Sequence, residues 1–311
     1  MKILKNKLVY FILGLFFIWY IFPVIPIDNF LLFWEKIFDD SSIPVILASL
    51  IVISTGISLF VQFGFVLFAA KLKLDWKKLL IVFGISLLGL ILCVVWTEHY
   101  LVLKMPHIFK DPSYIKHIIG IIQNLGASLF QKLPQRGVIN FFIITLCFSF
   151  GSLLSFIVRE KKLLVPVMLC CALIDFWTCT MGFTHQVMSK VPEAVSAVST
   201  GVPMLGGMGI NVATIGPGDF IFVSLVYAVV LRFDLNIKRT FWYIFGFMYV
   251  AMLLIVFGLL PFVPALICVC IGTLLANMGL FDFDKSEKIS MAVVFSFLFA
   301  VLVVLRLLKI G

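Results

Sequence analysis

The sequence predicts an all-α protein, a polytopic membrane helix bundle of about nine transmembrane helices. Three observations predict it. Apolar residues fill 63% of 311 positions and charged residues only 13%, more apolar surface than a soluble core of this length can hide. Apolar runs of about 20 residues recur along the chain, and at about 1.5 Å rise each they match a hydrocarbon core of about 30 Å. Alternating strands of the kind that close into a barrel are missing, and lipid leaves helices as the other way to satisfy the backbone.

In chain order the expected spans are 8–24, 43–70, 79–103, 139–158, 163–181, 207–231, 241–259, 262–280 and 289–308. The basic start, Met1 to Lys7, leads into the first run without a clear small-residue cleavage site, so an uncleaved anchor is expected. Segment 118–131 is apolar but short, which suits an interfacial or re-entrant piece. The chain divides into an N-terminal set of four spans with that segment (1–158), a central bundle (159–288) and an extra C-terminal span (289–311).

Charge gives the orientation. The net charge is +9, yet the basic residues lie in short clusters between apolar runs, as topology signals do, and nucleic acid is not expected as a partner. With the N-terminus in the cytoplasm, most Lys and Arg face inward, including Lys71–Lys78, Arg159–Lys162 and Arg232–Arg239, while the loop 182–206 faces outward. The seven cysteines all fall in apolar runs without a CxxC pair, and read as small buried hydrophobes. Neither a metal site nor a cofactor is expected.

Ionisable groups far from helix ends carry the functional signal, because burying them in lipid is costly. Asp234, Asp282, Asp284 and Glu287 read as solvated ends, and Glu98 with His99 closes the third span. Asp175 and Asp219 remain. Lys162 and Arg232 mark the inner ends of their helices, and both separations are 13 residues, roughly 20 Å of rise. Two carboxylates at equal depth on consecutive antiparallel helices can meet. Gly216 and Gly218 remove side chains where a partner or a substrate backbone must come close. Pro217 is expected to loosen the helix before Asp219, and Pro264-Ala265-Leu266 to expose a disrupted backbone near the aspartates.

These residues resemble the presenilin and signal peptide peptidase family of intramembrane aspartyl proteases. The likeness rests on Asp175 in a hydrophobic span, on Gly216 to Phe222 (GPGDFIF), on Leu231 to Asp234 (LRFD) and on the Pro264-Ala265-Leu266 triplet. It covers roughly 163–280. Ile174 stands where the family usually has tyrosine. The resemblance implies catalysis by Asp175 and Asp219, with Gly216, Gly218, Pro264, Ala265 and Leu266 contacting substrate. It further implies single-span membrane proteins or signal peptides as substrates, cut within the bilayer.

Other membrane proteases fit less well. The chain has no HExxH for zinc and no GxSG for a membrane serine protease. Prepilin peptidases carry a GxGD but not the other two motifs. A proton- or cation-coupled transporter using the two aspartates is the alternative from another class, although no related halves are evident. A non-proteolytic binder of signal peptides is a third. Gly201 to Gly209 is glycine-rich, but without a preceding strand it reads as a loop admitting substrate rather than a nucleotide site.

Overall fold

In the computed structural model, residues 43–104, 133–180, 200–201, 214–257, 259–260, 263–281 and 283–307 are described. They are helical apart from turns and one two-residue strand pair. In order the elements are α1 (Ile43–Lys71), α2 (Trp76–Lys104), α3 (Leu133–Leu154), α4 (Leu164–Thr180), β1 (Thr200–Gly201), β2 (Thr214–Ile215), α5 (Pro217–Arg232), α6 (Ile237–Val256), α7 (Ala265–Ala276) and α8 (Lys285–Leu307). The expected first span, segment 118–131, Glu98 and His99 as side chains, Asp282 and nearly all of loop 182–206 lie outside what is described.

Among the described residues, four stretches are long and apolar enough to cross a membrane: Trp76–Cys93, Val138–Ile157, Lys161–Cys179 and Ile237–Val256. Several expected spans differ from the sequence reading. In the span expected at 207–231, the described part is a helix from Pro217 with the strand Thr214–Ile215 just before it. That expected at 262–280 is a helix of 12 residues. The helices expected from 139, 241 and 289 begin six, four and four residues earlier, at Leu133, Ile237 and Lys285.

Helix α5 is the centre of the fold. It packs against α3, α1, α7 and α6, and nine of its 16 residues are buried. Gly151 is what lets α3 approach it. A Cβ there would overlap the Ile221 carbonyl oxygen and stand 2.8 Å from the Ser224 Cβ. On the far side Gly272 does the same for α7 and α6, where a Cβ would lie 2.9 Å from the Ile244 nitrogen. Small residues let backbones come close where lipid supplies no hydrophobic drive between helices.

Each end of α5 has a local cause. Pro217 opens it as the first helical residue, where its missing N–H costs nothing. It therefore starts the helix rather than loosening it, contrary to the reading from sequence. The other end closes with the Leu235 N–H on the Val230 carbonyl at 2.9 Å and Asp234 in the left-handed region, φ 51°. That bond and conformation make a Schellman stop, with an acidic residue in the place glycine usually holds. The LRFD ending thus terminates a helix.

A buried polar lock follows. Asn277, fully buried, accepts the Asn236 N–H at 2.9 Å and donates to the Thr240 hydroxyl and the Thr273 carbonyl, each at 2.9 Å. It ties the end of α7 to the α5–α6 turn. Every partner is satisfied, as a polar group in an apolar interior requires.

Helix α8 joins through Glu287, which also corrects a reading from sequence. The carboxylate accepts the Lys162 ammonium at 3.0 Å through both oxygens and the Asp284 N–H at 2.8 Å. It is a brace to the α4 end of the bundle, not a solvated end alone.

Candidate functional site

The site forms where α4, α5 and α7 converge. Asp219 is the third residue of α5. Its Oδ2 accepts the Gly216 N–H at 3.1 Å, and its own N–H donates to the Gly216 carbonyl at 3.2 Å. The proline and the Gly216 turn therefore fix this carboxylate at a helix N-terminus, where unpaired amides favour an anion. A Cβ on Gly216 would stand 3.3 Å from the Asp219 Oδ2, so the glycine makes room for the aspartate itself.

Asp175 sits far along α4, half-buried. Its Oδ2 accepts the Leu266 N–H at 3.1 Å, and its Oδ1 faces the Cys179 Sγ at 3.5 Å. The first contact follows from the triplet. Pro264 caps α7 in an extended conformation, Ala265 is its first residue and Leu266 its second. Amides in a first turn have no partner within the helix. The Leu266 amide spends its free valence on Asp175.

Asp219 lies within electrostatic range of Asp175. The two do not arrive there by direct contact of their helices. Helices α4 and α5 barely touch, while α7 packs against both. The sequence reading brought the carboxylates together on neighbouring antiparallel helices; here their helices are related through α7 instead. The helix carrying the triplet stands between them and holds one of them.

The remaining expected residues divide. Gly218 is exposed, and a Cβ there would meet nothing within 4 Å. No described helix uses the space it leaves, so the partner-helix half of the reading is corrected and only the open face remains. Ile174, in the place of the expected tyrosine, is 45% exposed.

Residues missed from sequence also line the site. Cys147, Cys179 and Cys268 all lie within electrostatic range of Asp219, and Cys179 and Cys268 also of Asp175. Cys179 is one helical turn past Asp175, and that i, i+4 spacing is a legible signal. The reading of every cysteine as an inert hydrophobe is corrected for Cys179, whose thiol is hydrogen-bonded to a carboxylate. All seven cysteines are free thiols.

No protein family, no curated protein and no solved structure matches this chain.

Proposed function

We propose that the protein is an intramembrane aspartic endopeptidase, presenilin-like in architecture, with about nine transmembrane helices and a cytoplasmic N-terminus. The contact between the Leu266 amide and the Asp175 carboxylate carries this reading. Two motifs 91 residues apart are joined by one charge-assisted bond, beside a second carboxylate within charge range. Membrane residence is supported by the outward faces of the helices. Ile81, Leu88 and Phe297 are 61%, 58% and 70% exposed, a cost in water and none in lipid.

The chemistry needs both aspartates. One carboxylate takes a proton from water as the oxygen attacks the scissile carbonyl carbon. The other, protonated, gives its proton to the carbonyl oxygen. On collapse of the tetrahedral species the second aspartate takes back its proton from the hydroxyl, the C–N bond breaks, and the first aspartate gives the proton it took from water to the leaving nitrogen. Two close carboxyls titrate as a pair, and one shared proton is the active form.

The substrate is a transmembrane segment of a single-span membrane protein or a signal peptide. Its peptide bonds are shielded while helical, so it must extend, and its amides then need partners. The strand Thr214–Ile215, two residues before the Pro217 helix and paired antiparallel with Thr200–Gly201, supports strand addition as the solution. The open face at Gly218 lies next to it. Contacts to substrate are assigned to Gly216, Gly218, Pro264, Ala265 and Leu266.

The test is cleavage of a single-span reporter by purified protein. Asp175→Asn and Asp219→Asn should each abolish turnover, with the double variant no worse than either. Robust cleavage by Asp219→Asn returns the aspartate to a helix cap and overturns the reading.

A further inference from the structure

The structure assigns a second site: a basic cleft at the opposite end of α5 from Asp219, built to hold the phosphate headgroup of an anionic phospholipid. This rests on the membrane residence proposed above but not on proteolysis.

The cleft has a volume of about 340 Å³. It lies where the α1–α2 turn meets the ends of α3 and α5. Its polar lining includes Lys73, Ser152, Ser155 and Arg232, with Asp75 as the acidic member. Asp75 is compensated by Lys78 at 4.0 Å, so the balance inside stays positive. Lys71, Lys77, Arg159 and Lys161 lie nearby in sequence at the same end and strengthen the field.

Two features show a built site rather than a surface of lysines. Ser152 lines the cleft although only 5% exposed, and its buried hydroxyl has no hydrogen-bond partner among the described residues. The hydroxyls of Thr145 and Ser149 on this helix, and of Ser155 just past its end, are satisfied by preceding carbonyls. A buried hydroxyl without a partner is costly unless something outside the chain supplies one. The Arg232 guanidinium is also positioned in advance. One nitrogen donates to the Ser155 and Val158 carbonyls at 3.3 and 3.5 Å, and the plane lies 5.5 Å from the Phe156 ring centre. It meets no carboxylate among the described residues, and its other donors remain for an anion.

Position and lining choose a lipid over a soluble anion. Trp76 opens a membrane-length stretch, and it lines the cleft together with Leu79, Phe148 and Leu231. An aromatic at the boundary, basic groups around a pocket and apolar walls below suit a headgroup whose acyl chains continue into lipid. Lys73 is held in the left-handed region, φ 46°. A non-glycine residue seldom adopts that conformation, and here it closes the turn that forms the rim.

The experiment uses the full chain in neutral detergent and reads lipid retention by native mass spectrometry. The probes are dioleoyl phosphatidylglycerol, phosphatidylcholine, inorganic phosphate and glycerol 3-phosphate. Phosphatidylglycerol should bind tightly and Arg232→Gln with Lys73→Gln should weaken it about thirtyfold, from the usual contribution of two basic groups near a lipid surface. Lys238→Gln with Lys285→Gln removes the same charge at the same end outside the cleft, and should change binding less than twofold. If the first double variant does not fold, Lys73→Gln alone is read, with about a fivefold loss expected. Equal losses in the cleft and control variants overturn the site. Binding of phosphate or glycerol 3-phosphate as tight as that of lipid overturns the occupant. Because binding is the readout, the Asp219→Asn protein serves equally, and loss of protease activity leaves the result intact.

Discussion

The two aspartates sit in opposite surroundings. Asp219 belongs to the most enclosed helix of the fold and is fixed by its own turn. Asp175 belongs to a thinly covered one. Only 22% of the stretch Lys161–Cys179 is buried, against 56% of Val138–Ile157, and its neighbours Ile174 and Phe176 are 45% and 48% exposed. The contrast assigns a division of labour. On the proposed protease reading, the Asp219 side is scaffold, and the Asp175 side is where a substrate helix would reach the carboxyls.

The Leu266 amide is the sharpest place to break this contrast, because it lends the half-buried aspartate its fixed partner. Leu266→Pro deletes one N–H in a helix's first turn, where proline is tolerated. A hydrogen bond to a charged group contributes about 1.5–3 kcal/mol, so cleavage should fall roughly ten- to hundredfold. Thermal stability should hardly change. An unaltered rate would show that Asp175 needs no such holder.

Gly151→Ala attacks the scaffold side instead. The new methyl meets a backbone carbonyl that cannot swing away, and overpacking of this kind costs about 1–3 kcal/mol. The unfolding midpoint in detergent should drop, and activity with it. An unshifted midpoint would mean that α3 and α5 separate at little cost.

Gly218→Ala separates the two sides most cleanly. None of the described residues opposes the added methyl, so folding should be unchanged or slightly improved. A severalfold rise in KM at constant stability would place substrate on that face. Unchanged kinetics would leave the open space unused.

The smallest effect is expected at the Glu287 brace. The Asp284 amide first, and then the Lys162 ammonium, hold the Glu287 carboxyl below the usual carboxylate range. Its contribution is therefore present above the unfolded value, about 4.3, and is lost as pH falls through the lower folded value. Glu287→Gln should lower the unfolding midpoint slightly at neutral pH, and the gap should close in acid. A gap independent of pH would assign the effect to something other than charge.

Much of this was legible in the sequence because apolar run length and rare polar residues are strong signals. The helical class, the helices at Trp76, Ile237 and Lys285, and the two aspartates follow from them. Helix starts near the site were not legible. Pro217 and Pro264 each sit in apolar runs, and run length cannot tell a helix that crosses from one that begins halfway. The hold of Leu266 on Asp175 needed tertiary contact, since a backbone amide leaves no mark on composition. Asn277 could have been found, as an amide side chain isolated in an apolar stretch. Its partners, on the far side of the α6–α7 connection, could not.

The short helices have a consequence for water. Helix α7 has 12 residues and α5 has 16, about 18 and 24 Å of rise. A bilayer core of about 30 Å is thicker than either, and lipid next to a short apolar element thins or yields to solvent. Both helices start at the carboxyl layer and are fastened together at their other ends by Asn277. The shortfall therefore falls on the side of the aspartates. Hydrolysis consumes one water per bond cut, and a local dent in the membrane above Asp175 and Asp219 would supply it without a channel through the protein.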